Sequence, residues 1–196
     1  MWVTYDGMKT IALGLAIVCL AACGRTPSAA LSRQIAGDDC DYEVRVTPEG
    51  ERCHPREWSL MDYGDPARPP RCQIDAARCA SLQREHALVP DLIRGLSEEV
   101  DEFDTGDGII PVRAAFAEAL GELGDRSAID PLIEVLQHSS LGARAASADA
   151  LGCFEFDAWA AVPHLERAKR TPNPSGDSDV EVLRSAASRA LGRIRP

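Results

Sequence analysis

Six positions spaced i, i+3, i+4, i+7, i+8 and i+11 recur three times in this 196-residue chain. The first set is Val112, Ala115, Phe116, Ala119, Leu120 and Leu123. A shift of 31 gives Ala143, Ala146, Ser147, Ala150, Leu151 and Phe154, and a shift of 71 gives Leu183, Ala186, Ala187, Ala190, Leu191 and Ile194. Only Ser147 breaks the apolar pattern. This spacing is one face of an α-helix, so each copy predicts a long helix with a single apolar stripe. Arg113, Arg144 and Arg184 follow the first position, and Gly121, Gly152 and Gly192 follow the Leu. A shorter motif lies ahead of each copy, at residues 88–93, 128–133 and 161–165, with Pro near its start. Proline is tolerated in a first helical turn. The order is therefore short helix, long helix, three times over. Each pair leaves a stripe that only a neighbouring pair can cover, which is the logic of an α-solenoid.

Residues 110–125, followed by 127–136, resemble a HEAT repeat of the short type first known from bilin lyases. The resemblance covers about residues 86–196. It implies an all-α fold: a solenoid of about three HEAT-like helix pairs over 83–196, preceded by a small disulfide-rich irregular segment over 38–82. Glu166 and Lys169 replace apolar residues in the third copy, and insertions at 97–109 and 171–179 depart from the family's short turns. Glycine inside a helix costs about 1 kcal/mol relative to alanine, so close packing or helix termination is the expected reason for the recurring glycines. The recurring arginines are expected to pair with acids of the adjacent repeat, Asp125 among them, rather than to form an anion-binding ladder.

The N-terminus carries a second pattern. Met8-Lys9 is a basic start, residues 10–22 are almost wholly apolar, and Leu20-Ala21-Ala22-Cys23 closes the run. Spanning a bilayer needs roughly 20 apolar residues, so a signal peptide fits better than a transmembrane helix. Met1 to Gly7 adds Asp6 and no positive charge, which makes Met8 the expected start. The closing tetrapeptide resembles the lipobox of bacterial lipoproteins. That resemblance implies cleavage before Cys23, diacylglycerol and a further acyl chain such as palmitate on Cys23, and, from Gly24 in the next position, sorting to the outer membrane. The expected organisation is a signal peptide at 1–22, a flexible tether at 23–37, the Cys-rich segment and the repeat domain.

In the oxidising compartment that export implies, Cys40, Cys53, Cys72 and Cys79 read as two disulfides. Their spacings of 13, 19 and 7 lack the close pairs of a zinc ribbon; His54 beside Cys53 is the only hint of metal. Residues 73–82 have a helical pattern, which would place Cys72 and Cys79 about 10 Å apart, too far to bond each other. Each is then expected to pair with Cys40 or Cys53, with the choice left open. Tyr42, Val44 and Val46 alternate with charged and polar residues as a strand does, and residues 47–50 form a turn sequence. Trp58, Met61 and Tyr63 are expected to pack on the helical domain.

Acidic residues outnumber basic ones 31 to 21, for a net charge of −10. That argues against nucleic acid as a partner, because such binding neutralises phosphates with Lys and Arg, and against a polybasic membrane patch. Glu98, Glu99, Asp101, Glu102, Asp104 and Asp107 form the densest charge. They suit a solvated loop that attracts a basic partner, and they lack the ligand order of an EF-hand calcium loop. No His-Glu dipeptide, nucleophile elbow or phosphate loop is present. Bilin chemistry belongs to cytoplasmic assembly of light-harvesting proteins, which conflicts with an export signal. Cys153 aligns with Glu122 and Arg193, so its thiol is expected half-buried near a surface. The sequence alone thus points to a lipid-anchored envelope protein without catalytic residues or cofactor, whose solenoid scaffolds a protein partner. The alternatives are an enzyme or enzyme subunit of the lyase-like HEAT class, and a purely structural envelope component.

Overall fold

The computed structural model describes residues 27–35, 42–48, 50–55, 68–97, 103–104 and 109–195. Among them are eight α-helices: α1 (Pro27–Ile35), α2 (Arg68–Leu82), α3 (Val89–Ser97), α4 (Val112–Leu123), α5 (Ile129–His138), α6 (Leu141–Cys153), α7 (Val162–Lys169) and α8 (Ser178–Ile194). The long helices α2, α4, α6 and α8 pack side by side as one layer. The short helices α1, α3, α5 and α7 pack in the same order as a second layer against them. This is the all-α solenoid expected from the repeat.

All eighteen positions of the apolar pattern are buried. Leu120, Leu151 and Leu183 are fully enclosed, and short-layer Leu92, Leu132 and Leu165 meet them in the core. Ser147 is also buried, and its hydroxyl has no hydrogen-bond partner among the described residues.

The recurring glycines mark where the long helices touch. A Cβ on Gly121 would lie 2.8 Å from both Cα and Cβ of Ala150, and a Cβ on Gly152 would lie 3.0 Å from Cα of Ala190. The third glycine, Gly192, has nothing within 4 Å of that position. The same residue type therefore permits close approach twice and has no such neighbour the third time.

Two stretches differ from expectation. Residues 27–35, expected as tether, form α1, with Leu31 and Ile35 buried. The buried Gln34 side chain donates from Nε2 to the Cys72 carbonyl at 2.8 Å, and Ser32 Oγ donates to Asp91 Oδ2 at 2.6 Å. The helix expected over 73–82 is present as α2, and what differs is that it starts earlier and joins the long layer against α4. The repeat register extends onto it: Cys72, Ala76, Cys79 and Ala80 stand 40 residues before Val112, Phe116, Ala119 and Leu120, and all four are buried. A fourth helix pair, α1–α2, thus precedes the three.

Between α1 and α2, β1 (Tyr42–Thr47) and β2 (Gly50–Pro55) form an antiparallel hairpin, Thr47 opposite Gly50, as the alternation and turn sequence predict. It lies on α2 and is held there by the Cys53–Cys79 disulfide and by an ion pair of Arg78 with Glu51 at 3.1 Å. Cys72 is also disulfide-bonded. Neither bond joins Cys72 to Cys79, as the helical spacing requires. Trp58, Met61 and Tyr63 lie outside the described residues.

Gly121→Ala should destabilise by about 1–3 kcal/mol, because the backbone of α6 must shift. Gly192→Ala should stabilise by about 0.5–1 kcal/mol, as alanine does in an open helical site. Urea denaturation of the two variants checks this contrast; equal effects would contradict the close approach.

Candidate functional site

The solenoid has two edges. At one, each long helix turns into a short one through a 3₁₀ segment: His86–Leu88, Arg126–Ala128 and Glu155–Ala161. Each turn begins with a left-handed residue, Arg84, Gly124 or Glu155, with φ of 54°, 69° and 50°. These stand at the intervals that separate the long helices, so the turn geometry repeats with the helices. Gly124 adopts this conformation without the Cβ clash that the other two carry. Asp125 follows Gly124, and its Oδ1 accepts from Ser127 N at 2.9 Å and Oγ at 2.7 Å. Those bonds hold its carboxyl below the usual range.

At the opposite edge the short helices end and the long ones begin, and here the recurring arginines act. Arg144 Nε donates to the Leu136 carbonyl at 3.0 Å. Arg184 donates from Nε and Nη2 to the Thr171 carbonyl at 2.8 and 2.6 Å. Gln73, at the corresponding position of α2, donates from Nε2 to the Ile35 carbonyl at 3.0 Å. The last carbonyls of a helix lack intrahelical donors, and cations also favour the negative end of its dipole. The polar side chain that opens each of these long helices therefore ties back to the end of the preceding short one or, for Arg184, to the turn just after it. The expected pairing with Asp125 is corrected: that carboxylate belongs to its own turn. Arg113 instead donates from Nη1 to Ser139 Oγ at 2.9 Å, in the turn after α5.

Clefts open beside these arginines. The first, about 120 Å³, lies between the ends of α3 and α5. Leu96 and Val135 contribute apolar wall, and Arg113, Glu134, His138 and Ser139 supply polar groups. The second, about 550 Å³, is its counterpart one repeat on, with Arg144, Arg167, Thr171 and Pro172 in the corresponding positions and Glu166 and Arg170 beside them. Burial lowers the Arg144 pKa from its ordinary value. The first cleft thus combines a cation, a carboxylate, an imidazole and a hydroxyl, the groups that orient an anionic substrate and move protons.

On the exposed face of the long layer, Arg78, Glu118 and Glu122 line a smaller cleft of about 80 Å³. Burial pushes the Glu118 carboxyl up, Arg78 opposes this, and Glu122 and Asp149 reinforce it. Asp149 also binds Arg189 of α8, with Nη2–Oδ2 at 2.7 Å.

Of the residues singled out from sequence, Cys53 and Cys79 meet directly. Cys23 and Cys40 lie outside the described residues, as do Glu98, Glu99, Asp101, Glu102 and Asp107. Asp104 falls in β3 (Phe103–Asp104), whose backbone pairs antiparallel with β4 (Ile109–Ile110), a short ladder that the expected loop lacked. Cys153 is a free thiol and exposed rather than half-buried; Arg193 Nη1 stands 3.9 Å from its sulfur. His138 and Glu134 were not singled out. The register of the short motif could have found them, since it aligns Glu134 with Arg167 across the two clefts. Among the described residues no cluster of His, Cys, Asp or Glu could hold a metal ion, and no helix is long and apolar enough to cross a membrane.

Comparison with known proteins fits this geometry. The family model for HEAT repeats matches residues 105–192. No curated protein matches the chain. Among solved structures the fold resembles the complex of CpcE and CpcF of phycocyanin lyase from Nostoc sp. PCC7120, with a TM-score of 0.52 and 25% identity. That likeness covers 72% of this chain and 55% of the other, so the chain spans about half the length of the protein it resembles. The repeats are HEAT-like, and the fold is similar to that of this lyase complex. The expectation that this chain is no enzyme is corrected by the same finding, because the structure it resembles is that of a lyase.

Arg144→Met should cost about 1–2 kcal/mol by leaving the Leu136 carbonyl without its charged donor. Arg144→Lys should recover part of the loss. Urea denaturation reads both; an unchanged midpoint for Arg144→Met would contradict the tie.

Proposed function

We propose that this chain is an enzyme, or a subunit of one, in the lyase-like HEAT class, acting on a protein held against its solenoid. The cleft at Arg113, Glu134, His138 and Ser139 is the proposed reaction site. The observation that carries this reading is the likeness to the phycocyanin lyase complex, which extends over most of this chain. Repeat solenoids offer extended surfaces for protein partners, and the cleft brings acid–base groups to the edge of such a surface. In the proposed mechanism Arg113 orients an anionic group of the substrate, and His138 and Glu134 exchange protons with it. The substrate is not assigned to a bilin, given the N-terminal export pattern.

The second part of the proposal is location. The chain is exported, cleaved before Cys23 and lipid-anchored there in the bacterial envelope, with Gly24 directing it to the outer membrane. Two or three acyl chains anchor stably where one does not. The catalytic unit would then work at a membrane surface on an envelope protein.

A photo-crosslinker at Gln137, beside the cleft, should capture one protein in intact cells. Mass spectrometry of that protein should find a covalent change that is absent from cells expressing His138→Ala at an unaltered melting temperature. The same change in cells lacking the chain would contradict the proposed activity. Radioactive palmitate should label the wild type and not Cys23→Ser; labelling of neither would contradict the anchor.

A further inference from the structure

The turn edge carries a feature that neither the core nor the clefts use. The third 3₁₀ turn, Glu155–Ala161, is seven residues long where its two counterparts have three. It presents Phe156 and Trp159, 63% and 57% exposed, the most exposed large hydrophobic residues among those described. Arg195 lies over the Trp159 ring, 5.4 Å from its centroid, and also reaches Glu166 at 3.3 Å. Arg126 of the neighbouring turn holds Asp157 at 2.7 Å. The turn is thus fixed from both sides while its two rings face outward.

The start of α1 faces the same edge. Ile35, the last residue of α1, accepts from Gln73 at the beginning of α2. The C-terminus of α1 therefore lies at the cleft edge, and α1 contacts the first 3₁₀ turn, His86–Leu88, at the other. Three residues, Gly24, Arg25 and Thr26, separate Cys23 from Pro27. Four extended residue steps span at most about 14 Å. A lipid on Cys23 would hold the start of α1 within that distance of a bilayer. Short helices stacked 8–10 Å apart put the third turn roughly 30 Å further along the same edge.

We propose, resting on the Cys23 anchor of the preceding section, that this edge lies along the phospholipid surface, with Phe156 and Trp159 seated in the headgroup–acyl boundary. Aromatic rings favour that boundary, where an apolar body and a polar rim are both accommodated. Glu85, Asp125, Glu155 and Asp157 on this edge balance Arg84, Arg126, Arg193 and Arg195, so the contact is apolar and does not require anionic lipid. The acyl chains supply the affinity, and the two rings fix the orientation. The clefts at Arg113 and Arg144 then open away from the membrane, about 20 Å above it by the length of the long helices.

The full chain carrying Trp2→Phe and Trp58→Phe keeps Trp159 as its single indole. It is purified with its lipid and reconstituted into phosphatidylethanolamine–phosphatidylglycerol vesicles, with or without bromine on the upper acyl carbons. Trp159 emission should be lost in the brominated vesicles and should shift to shorter wavelength in the plain ones. Phe156→Ser should reduce the loss, and Cys23→Ser made without residues 1–22, added to the same vesicles, should show none. Acylated, vesicle-bound protein with equal Trp159 emission in both vesicle types would overturn the edge-on contact and leave the anchor standing. Protein without acyl mass would overturn the anchor and this contact together.

Discussion

Two contacts between the long helices of this solenoid leave no room for a side chain on one of the partners. Gly121 meets Ala150, and Gly152 meets Ala190, at distances that a Cβ on either glycine would violate. Glycine is unfavourable in a helix interior by about 1 kcal/mol relative to alanine, so the gain must come from packing. Alanine is common elsewhere in the long layer, at Ala117, Ala148, Ala186 and Ala187, all buried. With so little bulk between helices, one repeat can meet the next in very few registers. The turns and arginine ties recur because the helices they join are held in step.

That constraint gives the two edges different jobs. The turn edge is closed by left-handed residues and 3₁₀ segments, the middle one capped by Asp125 and the third one longer than its counterparts. The opposite edge must satisfy the ends of the short helices. Gln73, Arg144 and Arg184 do so from the long layer, and the room beside them forms the clefts. A cleft of this kind needs no special loop; its residues change from one repeat to the next while the backbone repeats. Glu134 in the first cleft and Arg167 in the second stand at the same register with opposite charge.

Much of the repeat domain was legible because its apolar stripe has one period and one residue class. Of the pair α1–α2 only the helix at 73–82 was legible, and its place in the repeat was not, for a physical reason. Its register position opposite Ala115 is Asp75, and two further core positions are Cys72 and Cys79, which read as disulfide chemistry before they read as core. Both readings hold, since Cys79 is buried in the helix layer and bonded to Cys53. In α1, Leu31 and Ile35 are too few to display a period. The recurrence of the arginines was visible, but their target was not: backbone carbonyls leave no mark in a sequence, whereas acids such as Asp125 do. The clefts escaped because Glu134 and His138 lie just past the short motif, in which only the apolar residues and prolines repeat. Phe156 and Trp159 were hidden in a turn whose extra length becomes evident only against its counterparts.

A double-mutant cycle on Gly121→Ala and Ala150→Gly tests the close approach most directly. If the long helices are in contact at this point, removing the Ala150 methyl takes away one of the two atoms, Cβ but not Cα, that the new methyl would meet at 2.8 Å. The pair should then be less destabilised in urea than the sum of the single changes, by about 1 kcal/mol. Strict additivity would mean that the two residues do not meet, and would contradict the packing on which the register of the whole stack rests.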